Sequence, residues 1–156
     1  MENITGDEYR AFLEGLGLET IRLESSSSEC SIWEPPSRPN ALIAEPIYEI
    51  QSYHPFEDRS GFGSIARTGV TLSLGEPSEP STDENTQSEP TVAAYVEATY
   101  LLVYSTNTEA NDELIEYFLT HNLSLHVWPY AREFVQNMIS RFGWPPYLLP
   151  PIVQDW

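Results

Sequence analysis

The sequence HVWPYAREFVQNMISRFGWPPYLLPPI, residues 126–152, joins a helical pattern directly to a segment that cannot be helical. Its first half places apolar side chains every three or four residues, the spacing of one helix face. Pro129 is best tolerated in a first helical turn, because proline lacks the N–H that an interior position donates. Four prolines follow Gly143. The pattern predicts a helix over 124–142 with a broad apolar stripe, followed by a Pro-rich tail over 143–156.

Composition limits the partners of the chain. Its 156 residues are typical of one domain, and 24 acidic against 7 basic residues give a formal net charge of −17. All seven basic residues are arginine. Nucleic acid is therefore excluded as a partner, because phosphate contacts need a basic surface. The N-terminal sequence has no signal-peptide pattern, and no window approaches the length of a membrane span, so we expect a cytoplasmic protein without membrane insertion.

The N-terminal residues predict a short capped helix over 5–17. Thr5 and Glu8 have the spacing of a capping box, and Gly17 is a natural stop. Residues 19–74 then carry three alternating strand patterns. In the first pattern the apolar positions before and after a run of four serines have opposite parity, which predicts a bulge near the serines.

The next segment, residues 75–90, contains five acidic residues and three prolines but no large apolar side chain. Such a segment predicts a mobile acidic loop, a solvated hairpin connection rather than a binding tail. A strand follows over 91–105 with one continuous apolar face, and a short helix is predicted over 110–121. Strands joined by loops, with helices at the two ends of the chain, predict an α+β fold with an antiparallel sheet.

Enzymatic patterns are weak. The sequence GFGSIA, residues 61–66, has a phosphate-loop spacing but follows no strand and precedes no helix, which favours a turn. The three histidines have no metal-ligand spacing, and Cys30 is a lone cysteine. No nucleophile–base arrangement is visible. We therefore predict a protein without catalytic activity, metal or cofactor.

The segment from Trp128 to Ile152 resembles the signature of the SecB protein-export chaperone family. The shared features are an aromatic-Pro-Tyr-Ala-Arg-Glu helix opening, a Met-x-Ser-Arg exit and a Pro-rich continuation. The segment AAYVEATYLLVYS is similar to the last sheet strand of that family. The resemblance implies a four-stranded antiparallel sheet with a long helix packed on one side, assembled as a homotetramer that is a dimer of dimers.

The resemblance also implies a function. SecB proteins are holdases without ATPase activity, which bind unfolded preproteins in apolar grooves and deliver them to the SecA motor of the Sec translocase. Large aromatic side chains and methionine suit such a groove, because they offer apolar area with little entropy to lose. We expect about half of the candidates to lie in the core or a subunit interface. The candidate groove residues are Trp128, Tyr130, Met138, Trp144, Tyr147, Leu148 and Leu149.

The family binds SecA through acidic residues on the exposed sheet face. The strand match places Tyr95 and Glu97 in two such positions, with Glu34 a looser candidate. Tyr95 and Glu97 are two apart and so share a strand face. An equally weighted interpretation is that Glu97 only keeps an outward face hydrated.

Three features depart from the export chaperones: the extra N-terminal helix, the longer 75–90 loop and an expected absence of the C-terminal helix. The first two features resemble SecB-like chaperones dedicated to the antitoxin of a toxin–antitoxin pair. That function is the first alternative to protein export, and a non-chaperone interaction or scaffold protein is the second.

Overall fold

A computed structural model of the chain describes residues 4–32, 34, 42–75, 91–108 and 110–152. Two helices and four strands make up the described structure. They are α1 (Gly6–Gly15), β1 (Leu16–Cys30), β2 (Leu42–Pro55), β3 (Gly61–Leu74), β4 (Thr91–Thr106) and α2 (Asp112–Arg141). Apart from Gly75, the predicted acidic loop over 75–90 lies outside the described residues, as do the last four residues of the predicted tail.

The four strands form one antiparallel sheet in the order β1-β4-β3-β2. Two apolar clusters, both involving α2, cover one face of this sheet. The sheet's other face carries no helix among the described residues. The predicted α+β fold, a four-stranded antiparallel sheet with a long helix on one side and a short N-terminal helix, is therefore confirmed.

Strand β4 presents an alternating row of apolar side chains to α2. Its even-numbered residues from Ala94 to Thr106 are all buried, as the predicted continuous apolar face requires. Val92 departs from that face and is exposed. The register between β3 and β4 shifts beside Ala93, and Ala93 and Ala94 are both buried. This bulge reverses the alternation, so that Val92 does not continue the buried face.

Strand β1 forms one edge of the sheet, and the helix leaves part of it uncovered. Its register shifts between Leu23 and Ser25, at the start of the serine run, as the change of parity predicts. Leu18 and Leu23 lie opposite Tyr104 and Tyr100 and therefore share the helix-covered face. Both leucines are nevertheless exposed. Helix α2 thus leaves Leu18 and Leu23 uncovered, whereas Ile21 of the same strand is partly buried against the core.

The predicted pair of helices over 110–121 and 124–142 is a single helix, and this correction changes the position of Pro129. Helix α2 begins after Asn111, whose side-chain oxygen accepts from the Leu114 N–H at 2.9 Å. Pro129 therefore lies inside the helix, where a missing backbone hydrogen bond costs about 3 kcal/mol. Leu123 and Val127 are fully buried beside it. Their packing against the sheet offsets that cost, which the helical pattern alone does not reveal.

Two smaller expectations also differ from the structure. The capping box at Thr5 and Glu8 is present, but α1 ends at Gly15 rather than near Gly17. Asn107 approaches Gly15 so closely that a Cβ there would lie 1.9 Å from the Asn107 Oδ1. The segment over 61–66 opens strand β3 and is not a turn, because Gly61 pairs with Ser105 of β4.

Candidate functional site

The Pro-rich tail folds back along α2. Gly143 has a φ of 77°, which favours glycine and lets the chain reverse direction after the helix. The Trp144 ring contacts Phe142, and six residues later the carbonyl of Pro150 accepts a 2.8 Å hydrogen bond from the Trp128 Nε1–H. The tail therefore runs antiparallel to the second half of α2.

Two side chains hold this tail in the core. Trp144 and Leu149 are 6% and 0% exposed, and they pack in the cluster formed by α2, β3 and β4. The prolines prevent a third helix, because they lack backbone N–H groups and fix the backbone angle φ. In the described tail, apolar packing and the Trp128 hydrogen bond take the place of regular secondary structure.

The seven candidate groove residues do not share one environment. Three are buried, namely Trp128, Trp144 and Leu149. Met138 and Tyr147 are half-buried. Tyr130 and Leu148 are 46% and 60% exposed. Only the last four offer surface to a partner in the isolated chain.

The two most exposed candidates lie on different sides of α2. Tyr130 stands over Tyr100 of β4, with ring centroids 6.4 Å apart, and Tyr100 borders Leu23 of edge strand β1. Leu148 belongs to the tail, which is anchored at Trp128. Because positions 128 and 130 are two residues apart, they lie about 200° apart around a helix. Tyr130 therefore does not join the tail in one surface.

Two further residues extend the surface beside the tail. Leu125 is 56% exposed, and Arg132 is half-buried with an Nε atom that has no hydrogen-bond partner among the described residues. Arg132 lies one helical turn beyond Trp128, and Leu125 lies two turns before Arg132, so all three share a flank of α2. The sequence signal for this placement is the spacing, which puts Leu125 and Arg132 on the flank of α2 where Trp128 bonds to the tail. We call Leu125, Arg132, Tyr147 and Leu148 the tail-side surface.

Polar groups also lie under α2. The Tyr104 hydroxyl and His126 Nδ1 are 2.8 Å apart, and burial lowers the pKa of His126 while it raises that of Tyr104. Burial raises the pKa of Tyr48 to about 12, and its hydroxyl has no partner in the described structure. These groups are neutral at physiological pH. They are suited to packing rather than to acid–base chemistry.

Two of the three predicted SecA-binding residues, Tyr95 and Glu97, lie on the open face of the sheet. Arg67 of β3 bridges Glu97 of β4 and Glu49 of β2, and hydrogen bonds to these carboxylates raise the pKa of Arg67. The hydroxyls of Tyr95 and Ser27 are 2.9 Å apart. Each predicted position on β4 is thus already engaged within the sheet.

The third candidate, Glu34, is exposed and belongs to the connection between β1 and β2. No contact of Glu34 to Tyr95 or Glu97 occurs in the described structure.

Within the described ranges, neither helix is long and apolar enough to span a bilayer.

Comparison with known proteins shows the fold. No family model matches the chain, and no curated protein matches its sequence. Among solved structures it is similar to a SecB-like chaperone of Mycobacterium tuberculosis, in complex with a ChAD peptide from the HigA1 antitoxin. The TM-score is 0.66 at 15% identity, and the match covers 94% of this chain and 99% of the other. The similarity extends across nearly all of both chains, and the protein has a SecB-like fold.

Proposed function

We propose that the protein is an ATP-independent holdase chaperone that binds an extended, apolar segment of a client polypeptide on its tail-side surface. The observation that carries this proposal is the exposed apolar surface of Leu125 and Leu148 on a SecB-like fold. Such residues on a soluble chain expose area that a partner can bury. A largely apolar surface also suits many client sequences, because it demands few specific polar contacts.

The favoured client is the antitoxin of a toxin–antitoxin pair. Support comes from the M. tuberculosis SecB-like chaperone, whose structure contains an antitoxin peptide. The net charge of −17 also favours client segments with basic rather than acidic residues beside the apolar ones. Client binding should therefore weaken when Lys or Arg in the client is replaced by Glu.

Aggregation of an unfolded protein tests the holdase function. A chemically denatured client is diluted into buffer with the chain and without nucleotide, and light scattering follows aggregation. We expect suppression by the wild type and weaker suppression by Leu148→Ala. Leu13→Ala is the matched control, because Leu13 is an exposed leucine of α1. Equal aggregation with and without the wild-type chain would contradict the proposal.

Delivery of preproteins to SecA is the second candidate function, and Glu97 on the open sheet face is the residue that would carry it. Glu97 is already paired with Arg67, so a basic partner would have to compete for a compensated carboxylate. If SecA binds, the complex should weaken with salt, and Glu97→Arg should abolish it without affecting aggregation suppression. Absence of SecA binding at low salt would contradict preprotein delivery and leave the antitoxin function as the remaining candidate.

We further propose that the chain assembles as a homotetramer, a dimer of dimers. Leu18, Leu23 and Tyr130 are each more than 40% exposed along the uncovered edge of the sheet. Edge strands with exposed apolar side chains invite pairing with another chain. A second copy placed along β1 would bury this strip.

A further inference from the structure

A cavity of about 380 Å³ lies at one end of the sheet, between the turn that joins β2 to β3 and the connection from β4 to α2. Its lining includes Gly61 at the start of β3 and Thr106 at the end of β4. The tail packs near the other end of the same two strands, in the cluster that contains Leu72 and Ala94. Thr106 and Ala94 lie ~40 Å apart along β4, at about 3.4 Å per residue. The cavity is therefore separate from the tail-side surface.

The inner wall of the cavity is apolar or already hydrogen-bonded. Ile115 of α2, which is 1% exposed, and the half-buried Ala110 both line it. The hydroxyl of Thr106 donates to the carbonyl of Thr108 at 2.7 Å, and the Thr106 N–H donates to the Ser60 carbonyl at 3.3 Å. Because these donors are satisfied within the fold, the wall suits the hydrocarbon part of a ligand.

The outer edge of the cavity carries uncompensated negative charge. Glu57 and Asp58 line the cavity and are exposed, and neither forms an ion pair within the described part of the chain. Arg59 also lines the cavity, but its guanidinium pairs with Glu19 at 2.8 Å and lies 4.4 Å from the centre of the Phe56 ring. The positive charge of Arg59 is thus already balanced by Glu19. Two carboxylates beside an apolar wall remain for a ligand.

We propose that this cavity binds a lysine or arginine side chain of a partner protein. Such a side chain is amphipathic: its hydrocarbon stem packs against Ile115 and Ala110, and its charged end reaches the carboxylates of Glu57 and Asp58. Both carboxylates would repel an acidic side chain, and a short polar one would not extend from them to the wall. The net charge of −17 also favours the approach of a basic protein surface.

A protein is favoured over a free amine as the source of this side chain. Ion pairs at exposed carboxylates contribute little, so a small cation held only by Glu57 and Asp58 would bind weakly. A side chain that belongs to a protein is also held by the other contacts of that protein, and the cavity then selects for a basic residue at one position. This site goes beyond the proposed holdase function and does not depend on it.

The test measures, by fluorescence anisotropy, the binding of a labelled Gly-Ser peptide with a central Leu-Arg-Leu. A matched peptide carries citrulline, which resembles arginine in shape and has no charge. We expect Glu57→Gln/Asp58→Asn to bind the arginine peptide about fivefold more weakly, the effect of losing two exposed ion pairs. Glu29→Gln/Glu45→Gln is the matched control, because it changes the net charge equally. Both of its glutamates are exposed and lie toward the tail end of the sheet, on β1 and β2.

The wild-type chain should bind the arginine peptide more tightly than the citrulline peptide and more tightly than agmatine, a free amine with the arginine headgroup. Equal binding of the two peptides would overturn the proposal, and this comparison needs no variant to fold. Equal weakening by the two double variants would also overturn it, because general attraction to an acidic protein would then explain the binding. Tighter binding of agmatine than of the peptide would assign the site to a free amine instead.

Leu148→Ala separates this site from the holdase function. It should weaken aggregation suppression while the affinity for the arginine peptide stays at the wild-type value. Weaker peptide binding by Leu148→Ala would place the peptide on the tail-side surface and overturn the proposal. Failure of the wild type to suppress aggregation, with the arginine peptide still bound, would remove the holdase function and leave this site in place.

Discussion

Leu148 and Leu149 are adjacent residues of one type with opposite environments, and replacing each by alanine tests how the tail is docked. Leu149 is 0% exposed, whereas Leu148 is the most exposed large apolar residue described. Leu→Ala at a fully buried site costs about 2–5 kcal/mol. This loss of stability cannot exceed the free energy with which the tail packs against the rest of the fold. Two buried side chains at about 1.5–3 kcal/mol each and one hydrogen bond of about 1 kcal/mol set this limit at roughly 4–7 kcal/mol.

We expect Leu149→Ala to lose about 3 kcal/mol of unfolding free energy, which lowers the melting temperature by about 6–12 °C. Leu148→Ala should change stability by less than about 0.5 kcal/mol, or under about 2 °C. Circular dichroism melting measures both variants, and aggregation suppression measures the proposed holdase activity. Leu148→Ala should weaken suppression while the fold stays intact. Equal melting temperatures for the two variants would refute the assignment of Leu149 to the core.

Three further predictions concern the fold and its assembly. The pKa of His126 in the native state lies below its ordinary value of 6.5, because burial disfavours the charged form. The free energy of unfolding should therefore fall as the pH drops below 6.5, and His126→Gln should flatten this pH dependence in melting curves. Gly69→Ala should lower unfolding free energy by at least ~1–3 kcal/mol in urea titrations, because a Cβ would lie 2.1 Å from the Val96 carbonyl oxygen at a φ of 156°. Light scattering at micromolar concentration should give a tetramer of the 17.7 kDa chain, and a monomeric mass would contradict the assembly.

The strands of the sheet could be predicted from the sequence, because the alternation of apolar and polar residues along a strand is a local pattern. Alternation along β4 identified the buried positions from Ala94 onwards, and parity identified the bulge beside the serine run. The exception at Val92 arises from a one-residue shift in pairing with β3, which the sequence of β4 does not encode. Continuity of α2 through Pro129 was also missed, because burial in the folded sheet overrides the local preference of proline.

The candidate site was harder to predict because its members meet through tertiary structure. Aromatic and leucine content indicated an apolar surface, but nothing local distinguishes the buried Leu149 from the exposed Leu148. The separation of Tyr130 from the tail follows from helical spacing alone and was available from the sequence. The ion pair between Arg67 and Glu97 could not be predicted from the sequence, since the two residues are 30 positions apart and meet only across β3 and β4.

We propose that a client binds beside the tail and not on the open face of the sheet. A photo-crosslinking amino acid placed singly at Leu148, Leu125 or Tyr95 tests it directly, with an unfolded client added and crosslinked products counted by gel and mass spectrometry. All three positions have partly accessible side chains, so accessibility alone does not decide the result. We expect client crosslinks from Leu148 and Leu125 and only background from Tyr95. Crosslinks confined to Tyr95, or none from Leu148 and Leu125, would contradict it.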